Sequence, residues 1–594
     1  MDALVKRESR VIALTCDGLL APQCTVMYSL GVNANSPLAL RKAVCHDCQS
    51  ANRVRRKLNE VEWVSLRSLL AAEDFAEVER ISSEATPENL SNLVVDGISI
   101  GATSAYETLL HAKDLPLEAL RGNWETYLAD LRGALICLKA FQRLLDKDRV
   151  DSVLVYNGLY ASNRTVWEFA RGNSIPALDI HATSHPTQGY EYLSVEGELW
   201  PRFQDRADDA WARWREIPLR ASEVSFAHEY IEAGVLSAAA WAYSPARTDK
   251  GRMEILDRLG LSHSVPTVVV LLNSLDERVA ATFVGINADA AWPLDQPSPL
   301  NDFIDTALLI ARERPDWQFI IRVHPRMVAG KRDGVTSPQL ATLERQLESA
   351  PQNVAVDWPE LGLSLFDIAL ITDCALSIGT TAGLQLMALG IPTVLCNRSQ
   401  DWQFAPDLYL PTTGEGPEDL QDAIARALSV GPNLSQARRA YRFIVFQHLR
   451  SAFRVLESSK PDYNANKGSA IREFVLNKSQ LRRFGRRLIY SDPTGLLSAF
   501  ALLTWSRATR RSRRSQVDRI ITSHLSLEPL CNEIFRVANG AQSLDTKWEP
   551  QKVSRESLTV ENALLVASLT SLYSLLGVPI PERLAKDIKG WIDS

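Results

Sequence analysis

The 594-residue sequence has no run approaching the roughly 20 apolar residues a helix needs to span a bilayer. Its opening, MDALVKRESRVIALTC, puts Lys6, Arg7, Glu8 and Arg10 where a secretion signal needs an apolar core, which argues against export. Eight cysteines are too few for a disulfide framework in a chain this long. Charge of one sign is also lacking. A formal net charge of -6 and a pI near 6.0 give no long-range attraction to nucleic acid, and no such partner is expected. With 46% hydrophobic and 23% charged residues, the composition is that of a soluble globular protein, expected in the cytoplasm. One hydrophobic core cannot serve this length, so two or three domains are expected.

What the sequence does contain is concentrated in residues 317–397. Arg322-Val323-His324-Pro325-Arg326 follows the apolar run Phe319-Ile320-Ile321. Ser377-Ile378-Gly379-Thr380-Thr381-Ala382-Gly383 leads into an apolar helix over 384–389. A strand passing through small residues into a helix start offers backbone N–H groups and a positive dipole end to an anion. Arg322 and Arg326 can supply charge, His324 can donate to a phosphate oxygen, and Thr380 and Thr381 add hydroxyls. Each hydrogen bond to a charged partner is worth about 1.5–3 kcal/mol, so this set could hold a nucleotide without a metal. Asn273-Ser274 closes an expected strand at 267–272 and places Ser274 at the same edge.

The remaining elements alternate strand and helix. A buried strand is expected at 11–15, ending at Cys16-Asp17-Gly18. Asp17 would then lie at the carboxyl edge, where open α/β sheets bind ligands, or would simply cap the turn. Residues 51–95 read as charged and helical, 94–101 as a short extended piece, and 117–145 as one long amphipathic helix. Residues 152–180 then read strand, Gly loop, helix, strand. Residues 374–396 repeat that order, with Gly390-Ile391-Pro392 matching Ser174-Ile175-Pro176. Two such units far apart in sequence suggest two Rossmann-like domains. Asn157 and Gly158 sit in the loop of the first unit and His181 follows its second strand, where it faces a ligand or forms polar surface. Expected domains are 1–245, 246–455 and a mainly α-helical extension at 456–594.

Two features stand apart. Cys16, Cys24, Cys45 and Cys48 include a C-x-x-C pair, which suits a structural zinc, reduced thiols or a redox pair. In the extension, Arg482, Arg483, Arg486 and Arg487 precede an apolar stretch, 496–505, that Arg507, Arg510, Arg511, Arg513 and Arg514 follow. Residues 482–514 could lie on an anionic membrane face, or pack as a helix on the extension's own core. Residues 560–576 read as a further amphipathic helix without chemical signal.

The motifs carry a family resemblance. Residues 321–326, Ser377 to Gln385 and Gly390-Ile391-Pro392 resemble the C-terminal half of GT-B glycosyltransferases of the capsule and surface-polysaccharide group, with their Arg-x-His-Pro and Ser/Thr motifs. Cys16-Asp17-Gly18, Cys45-x-x-Cys48 and Val155-Tyr156-Asn157-Gly158 are similar to N-terminal features of that group. The likeness spans residues 10–430. It implies an α/β, GT-B-like fold of two Rossmann-like domains facing across a cleft. A nucleotide-sugar donor (CMP-, UDP-, GDP- or CDP-linked) would bind the second domain, and a glycan or lipid-linked acceptor the first. Asp17 would be the general base, His324 and the Ser/Thr motif would bind phosphate, and catalysis would need no cofactor. Asn157, Gly158 and His181 would then belong to the acceptor side. The group commonly has an acidic residue where this chain has Gln385, which leaves the donor open. Nucleotide-sugar 2-epimerases share Thr372-Asp373 and Gly390-Ile391-Pro392. Glycerophosphotransferases share the His-Pro logic, and a non-catalytic nucleotide-binding scaffold is a further alternative.

Overall fold

The computed structural model describes residues 4, 8–20, 24–29, 32, 36–57, 61–114, 116–183, 185, 192–197, 211–236, 244–285, 299–329, 334–378, 380–396, 409–410, 416–454 and 553–592. Its largest sheet has five parallel strands: β6 (Thr267–Leu271), β7 (Gln318–Arg322), β8 (Val354–Asp357), β9 (Cys374–Ser377) and β10 (Thr393–Leu395). The period-2 alternation of a strand divides their side chains between two layers. Val268, Val270, Phe319, Ile321 and Leu376 pack with the helices Pro299–Glu313 and Pro417–Val430. Val269, Leu271, Ile320 and Ala375 pack on the opposite side. Burial on both faces selects near-continuous Val, Ile and Leu, each contributing about 1.5–3 kcal/mol when fully buried. The expected parallel α/β architecture is therefore present.

The spatial order of the strands is β10-β9-β6-β7-β8. The chain runs outward from β6 through β7 to β8, then returns to lay β9 on the other side of β6. Such a reversal opens a crevice beyond the carboxyl ends of β6 and β9.

The N-terminal half is built from shorter pieces. Strand β1 (Ile12–Thr15) pairs in parallel with β2 (Glu62–Ser65). Strands β3 (Val153–Tyr156), β4 (Ala177–Ala182), β5 (Tyr192–Glu196) and β11 (Phe453–Arg454) form a second sheet in the order β11-β5-β4-β3. Side chains from β1 to β4 share one core with the helix Trp124–Leu145. Several expectations change here. The helix read over 117–145 is two, Pro116–Gly122 and Trp124–Leu145, because the chain breaks at Gly122-Asn123. Residues 51–95 contain β2 as well as helix. The piece at 94–101 is a turn: Asp96 and Gly97 have φ of 50° and 80°, and a single bridge joins Val95 to Ile98.

Chain order does not separate the halves. The helix Leu275–Phe283 leaves β6, yet its Ala280 and Ala281 are buried in the N-terminal core beside Tyr106 and Leu109. Strand β11 comes after the five-stranded sheet and pairs antiparallel with β5 of the other.

The repeated unit is visible in both sheets: β3 and β4 flank the helix Ala161–Gly172, and β9 and β10 flank Thr381–Ala388. Both helices end alike. Ile175 N–H donates to Ala170 O (2.9 Å) and Ser174 N–H to Arg171 O (3.0 Å). Ile391 N–H donates to Leu386 O (3.2 Å) and Gly390 N–H to Met387 O (2.8 Å). These are Schellman caps, which need a left-handed residue. Gly390 supplies one at φ 83° and Ser174 the other at φ 59°, so Ser174 turns the first chain, not Gly172.

Of the expected extension, residues 456–552, 593 and 594 fall outside the described residues, and with them the arginine-flanked stretch at 482–514. The rest forms the helices Arg555–Leu575 and Glu582–Ile592. By length and composition Arg555–Leu575 is apolar enough to cross a membrane, contrary to the sequence reading. It packs instead through Leu565, Leu569 and Leu572 against the helices Ala221–Val235 and Leu434–Val445. Its Glu561, fully buried, accepts from Arg442 at 2.8 and 2.5 Å and from Leu219 N at 2.9 Å.

Candidate functional site

Register locates the site. Leu271 of β6 is level with Arg322 of β7 on one side and Ser377 of β9 on the other. Two residues further along the chain stand Asn273, His324 and Gly379. Three adjacent strand ends therefore deliver their polar residues to one edge. Gly379 itself lies outside the described residues.

At the β9 end, hydroxyls shape the turn. Ser377, fully buried, accepts from Thr380 N–H at 3.2 Å, and Thr380 caps the helix Thr381–Ala388 by accepting from Gly383 N–H at 3.1 Å. Ser377 and Thr380 thus build the helix start, while Thr381, its first residue, is exposed. A Cβ at Gly383 would lie 2.8 Å from Ser377 Oγ, so only glycine lets the helix settle onto this turn. Gln385, one turn on, lies beside Gly234 of the helix Ala221–Val235. A Cβ there would be 3.4 Å from Gln385 Nε2 and 3.0 Å from Phe366.

At the β7 end, His324 Nδ1 accepts from Arg326 N–H at 3.2 Å. A ring nitrogen that accepts carries no proton, so in neutral imidazole the proton is on Nε2, which becomes the donor. Burial, then the nearby cations Arg326, Arg322 and Lys113, lower the His324 pKa to about 3. His324 as a whole residue is half-buried despite this crowding. At neutral pH it is a fixed, uncharged N–H donor.

The two arginines are placed differently from the sequence reading. Arg322 forms a buried ion pair with Asp357, its register partner on β8, and donates to Leu363 O at 3.3 Å. Arg326 sends Nη2 to Leu110 O at 3.0 Å. Both residues are 7% exposed. Their charge reaches the site, but these bonds go to protein.

At the β6 end, Ser274 is the residue before the helix Leu275–Phe283 and makes no side-chain cap there. Sequence reasoning missed its neighbour. Asn273 Oδ1, two residues beyond Leu271 of β6, is buried without a hydrogen-bond partner. Leaving such an atom unpaired costs about 1–3 kcal/mol, which a bound donor group would recover.

In the N-terminal half, β3 and β4 run in parallel and bring Asn157, Gly158 and His181 together. Asn157 has φ 53° and its N–H donates to Ile180 O. Gly158 N–H donates to buried Asp179 Oδ1 at 2.9 Å, and Ala161 N–H to Glu107 at 3.1 Å. Burial raises the Glu107 pKa to about 7. His181 lies parallel to exposed Tyr156, centroids 6.2 Å apart, and its Nδ1 is 2.6 Å from Ala182 O. Asp17 is exposed at the end of β1, with φ 44°, and accepts from Arg56 at 2.9 and 3.2 Å. Arg56 also donates to Thr15 Oγ1 at 2.8 Å, which holds the ion pair at the strand end.

The four cysteines expected at a structural zinc stand at the end of β1, just before the helix Thr25–Ser29 and within the helix Leu38–Arg56. Cys16, Cys24, Cys45 and Cys48 are free, partly exposed thiols, and each of the last three senses Cys16 electrostatically. Cys45 and Cys48 lie one turn apart within the helix Leu38–Arg56, not in a knuckle. Among the described residues, no three His, Cys, Asp or Glu side chains gather as an ion requires. Burial raises the pKa values of the Cys24, Cys45 and Cys48 thiols.

Fold and site together define an α/β protein whose doubly wound parallel sheet presents hydrogen-bond donors at its switch point. No family model matches the sequence, and no curated protein matches it. Among solved structures the chain is similar to KpsC, a beta Kdo 2,4 transferase of Thermosulfurimonas dismutans. Identity is 12%, over 43% of this chain and 70% of that one, with a TM-score of 0.28. It is also similar to the UDP-GlcNAc 2-epimerase of Methanocaldococcus jannaschii, solved with UDP-GlcNAc and UDP. Identity there is 14%, over 53% of this chain and 81% of the other, with a TM-score of 0.26.

Proposed function

We propose that the protein is a GT-B-type glycosyltransferase that moves a sugar from a nucleotide-linked donor to a glycan or lipid-linked acceptor of the cell surface. The observation that carries this reading is the row of strand ends around β6. Neutral His324 there is held as a donor through Nε2, across the crevice from the Thr380-capped helix. Both suit the diphosphate of a leaving nucleotide, on which negative charge builds as the glycosidic bond breaks. Preorganised donors aimed at developing charge are commonly the largest catalytic contribution.

His324 Nε2–H donates to a phosphate oxygen, and the helix start, with the exposed Thr381 hydroxyl, receives the rest of the diphosphate. Arg322 and Arg326 act through space, and Asn273 and Ser274 contact the nucleotide beside β6. Gln385 replaces a carboxylate as the ribose contact. On the acceptor side Asp17, oriented by Arg56, takes the proton of the attacking hydroxyl, and Tyr156, Asn157 and His181 form an acceptor surface. A positioned base contributes about 10²–10⁴ in rate. The reading needs no metal in the chemistry. It places the enzyme in the cytoplasm, with the acceptor reached at the inner membrane face through residues 482–514.

The test begins with thermal shifts against CMP-, UDP-, GDP- and CDP-linked donors. One class should stabilise the protein, by about 2.7 kcal/mol at a hundredfold excess over Kd. His324→Ala should then lower kcat by about 10²–10³ while the melting curve of the free protein is retained. Full turnover in that variant removes His324 from the mechanism. Donor converted to an epimer without acceptor would replace transfer by epimerisation, and binding without turnover would leave a scaffold.

A further inference from the structure

We propose that Lys113 is a positioning residue for His324, a buried ammonium that ties the His-Pro loop to the N-terminal half of the molecule. The inference rests on the reading of His324 as the phosphate donor and adds how that donor is held.

Lys113 ends the helix Tyr106–Ala112 in a left-handed conformation, φ 56°, and is 3% exposed. Its Nζ lies 2.7 Å from Arg326 O, 3.3 Å from Val328 O and 2.7 Å from Val335 O. An ammonium has three N–H donors and no acceptor, so three converging carbonyls satisfy it. All three carbonyls belong to the loop that starts at His324. The contact is returned: Ser337 Oγ donates to Lys113 O at 2.7 Å, Gln339 Nε2 to Asp114 Oδ1 at 3.3 Å, and Arg326 Nη2 to Leu110 O at 3.0 Å. The left-handed turn at Lys113 makes both directions possible, because it aims the side chain and the carbonyl of one residue at the same loop.

A simple tether between halves could use neutral groups. Burying an unpaired cation is costly, and carbonyl dipoles compensate it without neutralising it. The surviving positive charge faces His324 together with those of Arg322 and Arg326. Lys113 therefore does two things. It fixes the loop, and it discourages a proton on Nδ1, so that Arg326 N–H keeps its acceptor and Nε2–H keeps its aim.

The experiment uses the full-length chain, Lys113→Met, and Ser337→Ala, which weakens the same tether without touching the charge. Amide hydrogen exchange across 324–340 should accelerate about tenfold in Lys113→Met, while the helix Trp124–Leu145 keeps its protection. The His324 ring, followed by NMR, should titrate at higher pH in Lys113→Met, because a nearby cation has gone. In Ser337→Ala the loop should loosen and the titration should stay put. Unchanged exchange in Lys113→Met overturns the tether, and an unchanged His324 titration overturns the positioning role and leaves a structural staple. Should Lys113→Met not fold, unchanged loop exchange in Ser337→Ala overturns the proposal. Wild-type protein that binds none of CMP, UDP, GDP or CDP sinks the glycosyltransferase reading, but both of these signals would still test the tether.

Discussion

His185 and His448 both contact Tyr230, with ring centroids 5.6 and 5.2 Å away, and they are 0% and 2% exposed. Burial lowers their pKa values to about 4 and about 3, far below the ordinary value of 6.5. Native rings thus stay neutral where unfolded ones take up protons. The unfolded state then binds more protons, so stability rises with pH and is lost as pH falls from about 6.5 toward these lower values. Each ring adds a slope of up to about 1.4 kcal/mol per pH unit, and His324 adds a third. Glu107 opposes them. Its raised pKa makes the native state hold the extra proton, so its contribution is present below about 4.5 and disappears as pH rises through about 7. His448→Phe should therefore flatten the dependence by about one proton between pH 6.5 and 5, measured by urea unfolding at several pH values. Legibility at this scale followed distance in sequence. His324, Ser377 and Thr380 were readable because strand, turn and helix start are neighbours in the chain. The partners of Arg322 and Arg326 were not, since Asp357 and Leu110 are brought up only by the sheet and by contact between the halves. Lys113, alone between two helices, gave no signal at all. The orphaned Asn273 oxygen was not legible either, because burial is set by the packed fold, although its place after a Val-rich strand was visible.

The two matched helix ends place different residues, Ser174 and Gly390, at the left-handed position, and the difference is measurable. A non-glycine residue in the left-handed region costs roughly 1–2 kcal/mol, so Ser174→Gly should raise stability by about 1 kcal/mol. Gly390→Ala should lower it by about 1–3 kcal/mol, since a Cβ would meet Asn433 O at 3.0 Å in addition to the backbone strain. Thermal melts of the two variants should move in opposite directions. The repeated strand–helix–strand pattern was legible because Gly loops and Ile-Pro starts are local signals. β2 was not, because its four residues, Glu62-Trp63-Val64-Ser65, are too few to stand out among charged helical sequence. β5 escaped for another reason: it pairs antiparallel with β4 and with a strand from far along the chain, and neither partner marks its sequence.

Across the whole molecule, buried charge ties distant segments together. Arg442 and Glu561, 5% and 0% exposed, join the helix Leu434–Val445 to the C-terminal Arg555–Leu575. Arg450 and Glu223, 8% and 2% exposed, join the short helix Phe446–Arg450 before β11 to the helix Ala221–Val235. Breaking a buried pair on one side leaves a charge uncompensated. Arg442→Met should destabilise the protein by about 3–5 kcal/mol in urea unfolding. Adding Glu561→Leu should recover part of that loss but not all, since Leu219 N–H would lose its acceptor. These links were hidden in the sequence, where the partners stand 119 and 227 residues apart.

The crossing of β11 onto β5 also bears on how the protein is made. A ribosome releases β5 long before residues 453–454, so one edge of the N-terminal sheet emerges without its final neighbour and waits while the five-stranded sheet is synthesised. An unpaired edge is a template for pairing with other chains. Premature termination anywhere between the two strands would yield a nascent chain with that edge uncovered, and such fragments would be natural clients for chaperones and proteases.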